Sequence, residues 1–115
     1  MDKEATRGFI GIHSSDSWFD IEPGIKKLEK ITLIYKPDTK MRPRGCVLAW
    51  MEAIVYDEAM KRAGKNLNVE SFVDSLERVH GFDTGGLCGT PSFTHLKHVG
   101  AGYMRFFKAD GDNKI

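Results

Sequence analysis

The segment CVLAWMEAIVYDEAMKRAG, residues 46–64, places Val47, Leu48, Met51, Ile54, Val55, Ala59 and Met60 at helical spacing and so predicts a long amphipathic helix with a wide apolar stripe. Lys61 and Arg62 complement the negative end of its dipole, and Gly64 is suited to a left-handed cap. After KNLN, Asn68 can cap a second helix over 69–80, with Val69, Phe72, Val73, Leu76 and Val79 on one face and Gly81 as its stop. Two apolar stripes in succession must be buried against something. The remaining segments decide how much cover the chain supplies.

Only two of those segments read as strands. RGFIGIH, 7–13, is a short apolar run between polar flanks and suits a buried strand. In the tail YMRFFKADGDNKI, Tyr103, Arg105 and Phe107 alternate with Met104, Phe106 and Lys108, the pattern of a strand followed by an Asp-Gly turn. Between them, SSDSWFDIEPG (14–24) is a polar loop with an aromatic pair, and Ile25, Leu28, Ile31, Thr32 and Tyr35 predict a helix over 24–36. KPDTKMRPRG (36–45) has two prolines and must be a loop, because proline offers no N–H to a helix or a sheet. HGFDTGGLCGTPSF (80–93) is a glycine-rich return. The fold class is therefore α/β, with few strands packed against about three helices that expose more apolar surface than so short a sheet can cover.

With 115 residues the chain is expected to form a single domain, 1–115. Its 17 basic side chains against 16 acidic ones give no electrostatic case for nucleic acid or an anionic membrane as partner. The two cysteines, Cys46 and Cys88, do not make a disulfide framework, and whether they bond is open. MDKEATRGFIGIHSS lacks the apolar core of a secretory signal, and no stretch approaches the roughly 20 apolar residues of a membrane span.

The chemical-looking clusters each have a plainer reading. DTGGLCG precedes no helix and contains no P-loop lysine, so its glycines are expected to supply positive-φ turns and not a phosphate cradle. His95 and His98 beside Cys88 suggest zinc, but no regular ligand spacing recurs, and no metal or other cofactor is expected. A cysteine nucleophile at Cys88 with His80, His95 or His98 as base lacks any local hydrolase signature. Asp16 and Asp20 are read as carboxylates of a solvated loop. Trp18 and Phe19 either line a pocket or bury themselves under the next helix, and Trp50 is read as core.

RGFIGIHSSDSW, RPRGCVLAWMEAIVYDEAMKRAGKNLNVESFVDSLERV and FDTGGLCGTPSFTHLKHVGAGYMRFFKADG, taken in that order and spacing, resemble the C-terminal third of type I periplasmic solute-binding proteins. The nearer group serves ABC transporters for branched-chain amino acids and related small carboxylates, including aromatic acids. The resemblance runs from about Ala5 onward. It implies a partial periplasmic-binding-protein fold, with the glycine-rich return as a structural passage, and capture of a small amino acid or carboxylate by closure of two lobes. It also implies membrane subunits of an ABC transporter as partners, a periplasmic location and no enzymatic step. By position, Ser14, Ser15, Trp18, Phe19, Arg44, Cys46 and Val47 would form one margin of the cleft. Family members are about three times as long and begin with a signal peptide, so this chain corresponds to a truncated member or fragment. The alternative expectation is a self-associating interaction module that reuses the fold fragment and completes its core as a homo-oligomer, without a ligand.

Overall fold

The computed structural model describes residues 7–109. In chain order it contains strand β1 (Ile10–His13), helix α1 (Pro23–Tyr35), helix α2 (Arg44–Ala63), a 3-10 turn (Gly64–Asn66), helix α3 (Val69–Glu77) and strand β2 (Arg105–Lys108). The mixed α/β expectation holds, with three helices and a two-stranded sheet.

The helices follow from local chemistry. Pro23 opens α1, where a missing N–H costs nothing, and Pro43 caps α2 in an extended conformation while its carbonyl accepts the Cys46 N–H at 2.9 Å. Helix α2 therefore begins two residues before Cys46, because Arg44 and Gly45 are already wound behind the proline. Along its exposed side Arg62 pairs with Glu58 at 2.7 Å and Lys61 with Asp57, each one turn apart. Gly64 stops the helix at φ 68°, as expected of it. Helix α3 starts with a reciprocal cap: Asn68 Oδ1 accepts the Ser71 N–H at 2.8 Å, and Ser71 Oγ accepts the Asn68 N–H at 2.9 Å. It ends at Glu77, short of the expected His80, where Arg78 leaves the helical region and gives its carbonyl to Arg62 at 2.9 Å.

The core is drawn from four parts of the chain: Trp18 from the loop after β1, Ile25 and Leu28 from α1, Val47 from α2, and Leu87 from the glycine-rich return. Trp50, Met51 and Ile54 of α2 pack against this group. Helix α2 is the central element, with α3 along one side and α1 against another. Apolar cover does not extend over everything that periodicity marked. Ile25 and Leu28 are buried, but the far end of α1 leaves Leu33, Ile34 and Tyr35 in solvent, and Val69 at the start of α3 is equally bare.

Strands β1 and β2 are antiparallel, with Ile10 opposite Lys108 and His13 opposite Arg105. The strand expected over 7–13 is shorter than that run, and it is not buried: Ile10 and Ile12 lie on an uncovered face. Among the described residues there are two strands and no second layer to cover them, so an apolar run that reads as interior stays at the surface. The return from α3 to β2 makes isolated bridges, Ser15 with Cys88 and Thr94 with Lys97. The Asp-Gly turn expected after β2 lies outside the described residues.

Candidate functional site

The chain leaves β1 at its carboxyl end and turns sharply. Residues 17–20 form a local turn in which Asp20 Oδ2 accepts the Ser17 N–H at 2.6 Å and the Ser17 carbonyl accepts the Asp20 N–H at 3.3 Å. The return packs against this corner. Asp16 N–H donates to the Leu87 carbonyl at 2.9 Å, and Gly24 N–H donates to the Gly85 carbonyl at 2.8 Å. Gly85 sits at φ 71° with its Cα side against the Gly24 backbone, a conformation and an approach that only glycine accepts without strain. The glycines of DTGGLCG thus act as turns, as expected.

Four charged side chains converge where these segments meet. Asp16 is fully buried, and its Oδ1 contacts Arg105 Nη1 of β2. The same Arg105 nitrogen lies 3.5 Å from Glu22 Oε1. Asp16, Asp20 and Glu22 are close enough to offer one carboxylate oxygen each to a common point, and Arg105 stands among them as the compensating cation. Burial pushes the Asp16 carboxyl up to about 6, with Glu22 and Asp20 adding to the shift and Arg105 opposing it. Beyond the ion-pair contact of Oδ1 with Arg105, neither Asp16 oxygen has a hydrogen-bond partner among the described residues. Asp16 was expected in a solvated loop; the bridge of Ser15 to Cys88 draws it inside instead.

Arg44, at the first turn of α2, lies on the other side of the β1 terminus. Its Nη1 donates to the Ser15 carbonyl at 3.3 Å, and its guanidinium stacks over the Phe107 ring at 3.9 Å. Its Nη2 is buried with no acceptor among the described residues. Of the other residues expected at the cleft margin, Trp18 and Val47 are packed in the core, Phe19 projects into solvent, and Cys46 is half-buried as a free thiol. Ser15 is buried, and its hydroxyl and N–H both meet His13 Nδ1, at 2.9 and 3.1 Å. Ser14 lines a groove of about 410 Å³ together with Met51, Tyr56, Cys88, Phe93 and His98. The fold therefore joins Ser15 with Arg44 and Trp18 with Val47, while Phe19 faces solvent beside them in sequence.

His98 and Cys88 are otherwise engaged. His98 Nε2 lies 3.0 Å from Glu77, while Cys88 Sγ donates to the Gly89 carbonyl at 2.9 Å beside Thr84 Oγ1. Burial pushes the Cys88 thiol up, away from the thiolate that a nucleophile or metal ligand requires. Cys46 and Cys88 are both free.

Among solved structures the chain is similar to a branched-chain amino acid ABC transporter from Thermus thermophilus with bound valine, at a TM-score of 0.80 over 94% of this chain and 23% identity. At that identity the likeness establishes the fold. The chain spans about a third of that structure, 32% of its length. No protein-family model matches the sequence, and no curated protein matches it.

Proposed function

We propose that this chain is the C-terminal part of a two-lobe solute-binding protein that delivers branched-chain amino acids or related small aliphatic or aromatic carboxylates to an ABC transporter. The observation that carries this reading is the agreement of nearly the whole chain with one third of a fold that holds valine in its solved relative. Ligand capture is by closure: contacts to both lobes favour the shut state, and no covalent step is needed. The single domain formed by residues 1–115 supplies one wall of the cleft and the second lobe supplies the other.

The margin of that wall is the corner beyond β1. Arg44 is the residue chosen for a carboxylate, since its guanidinium is held rigidly by Phe107 and the Ser15 carbonyl and keeps a donor at Nη2 without an acceptor among the described residues. Ser14, Phe19 and Cys46 form the accessible rim, and Trp18 and Val47 hold the corner from below. The partners on this reading are the ligand and the transporter's membrane subunits, and the compartment is the periplasm.

The test is an amide NMR titration of the chain with valine and with benzoate at millimolar concentration. Shifts clustered at Ser14, Phe19, Arg44 and Cys46, and reduced in Arg44→Gln, are expected. Titrations that leave all four amides unmoved with both compounds would sink the assignment of this corner.

A further inference from the structure

The formal net charge of +1 conceals an uneven distribution. Between residues 26 and 42, Lys26, Lys27, Lys30, Lys36, Lys40 and Arg42 stand against only Glu29 and Asp38, an excess of four positive charges, so the rest of the chain is net negative. Among the described residues, Lys26 alone of the six makes an ion pair, with Glu29 at 3.0 Å. Lys30, Lys36 and Lys40 are exposed.

The apolar side chains of this region are turned outward as well. On α1, Ile25 and Leu28 enter the core, whereas Lys26, Lys30, Leu33 and Ile34 follow one another at spacings of three or four residues along the opposite side. Leu33 and Ile34 are 38% and 66% exposed, Tyr35 at the helix end 79%, and Met41 in the following loop 56%. The stripe that α1 shows to solvent is thus basic at its start and apolar at its end. Basic neighbours in sequence accompany the apolar end: Lys36 follows Tyr35, and Lys40 and Arg42 flank Met41.

We propose that the carboxyl end of α1, with the loop as far as Arg42, is a peripheral contact surface for a lipid bilayer rich in anionic headgroups. Apolar side chains interspersed with lysines are the composition of an interfacial anchor: the apolar groups enter the headgroup boundary, while the lysine stems lie along it and carry their ammonium groups to the phosphates. Burial against another part of a larger protein accounts for this surface less well, because lysine is depleted from protein interfaces and each buried ammonium needs its own carboxylate. No helix among the described residues is long and apolar enough to cross a membrane, so the contact is with the bilayer surface. None of these residues belongs to the corner assigned to the ligand, and the two assignments stand independently.

The test is co-sedimentation of the chain with vesicles of phosphatidylcholine alone and of phosphatidylcholine mixed equally with phosphatidylglycerol. Binding is expected to the anionic vesicles only, with release when salt is raised from about 0.1 M to about 1 M and screening shortens from about 10 Å to about 3 Å. Each lysine near an anionic surface is worth about fivefold in partitioning, so Lys30→Gln with Lys36→Gln and Lys40→Gln should weaken binding about a hundredfold. Ile34→Ser with Tyr35→Ser should weaken it at least about tenfold. All five positions are exposed, and the far-UV spectra should match the parent's. Two controls remove equivalent groups elsewhere, Lys61→Gln with Lys65→Gln and Lys97→Gln, and Ile12→Thr with Phe106→Thr on the ribbon; both should bind as the parent does. No preference for anionic vesicles overturns the proposal, and so does a control as damaging as its counterpart. Retention on soluble polyglutamate without vesicle binding would also overturn it and assign the surface to an acidic protein. A chain that ignores vesicles yet answers valine would refute this surface alone.

Discussion

Replacing Asp16 with asparagine separates two opposed effects that meet at one buried carboxylate. Burial raises its pKa from 3.8 to about 6, while Arg105 draws it down. A carboxyl whose folded pKa lies above its unfolded value binds its proton more tightly when folded. Stability is therefore highest below the unfolded pKa and falls as pH rises through the window from about 4 to about 6. A shift of about two units corresponds to a penalty of about 3 kcal/mol once the group is ionised. Between about pH 4.5 and about pH 7.5 the change is about 2 kcal/mol, since part of the penalty is already present at the lower pH. Asparagine has no proton to lose and abolishes this dependence, whatever it does to Arg105 at a fixed pH. Glu22 still faces Arg105 in the variant, at 3.5 Å. The assay is urea unfolding followed by tryptophan fluorescence, with Trp18 in the core as reporter. The difference in stability between Asp16→Asn and the parent chain should move in favour of the variant by about 2 kcal/mol from the acid to the neutral condition. Parallel pH profiles, or a movement in the opposite direction, would show that the attraction of Arg105 outweighs burial, and the reasoning would fail.

Two further outcomes test the corner and the core. Gly24→Ala places a methyl group 2.7 Å from the Thr84 carbonyl and from Leu87 Cγ, so it should destabilise the chain by about 1–3 kcal/mol in the same unfolding assay; a variant as stable as the parent would mean that the return does not pack on α1 this closely. In native alkylation with iodoacetamide at neutral pH, half-buried Cys46 should react at least about tenfold faster than Cys88, whose burial raises its thiol pKa; equal rates would contradict the placement of Cys88 inside.

What the sequence disclosed followed the range of the interactions involved. Helices α2 and α3 are written in local terms, and the dipole charges, Asn68 cap and Gly64 stop are present in the structure, whereas the α3 stripe is only part-covered, with Val69 and Val73 exposed and Val79 beyond the helix end. The positive-φ role of Gly85 and Gly86 was equally local. Burial on β1 was misread because an apolar run such as FIGI specifies a preference for cover without revealing whether a cover exists. The charge cluster was hidden for a related reason. Asp16 and Arg105 are nearly ninety residues apart, and their contact depends on the pairing of two short strands. A lone arginine among the aromatics of YMRFFK was the available signal, since a charge in an otherwise apolar strand needs a partner. Arg44 was singled out by resemblance, but its stacking on Phe107 was not legible, because nothing local joins an α2 residue to β2.

The antiparallel pairing of β1 with β2 also dictates when the structure comes together. About ninety residues separate His13 from Arg105, and closing a loop of that size costs about 4 kcal/mol of chain entropy in the logarithmic term alone, against about 1 kcal/mol for a tight hairpin. Helices α2 and α3 close over a handful of residues and pack on each other directly, so they have every advantage in time. The ribbon is therefore expected to be the last element to form and the first to open. Its amides should exchange hydrogen faster than those of α2, through openings that leave the helical pair intact. Each such opening parts Arg105 from Asp16, which ties the charge balance of the β1 corner to the most weakly closed step in the folding of the chain.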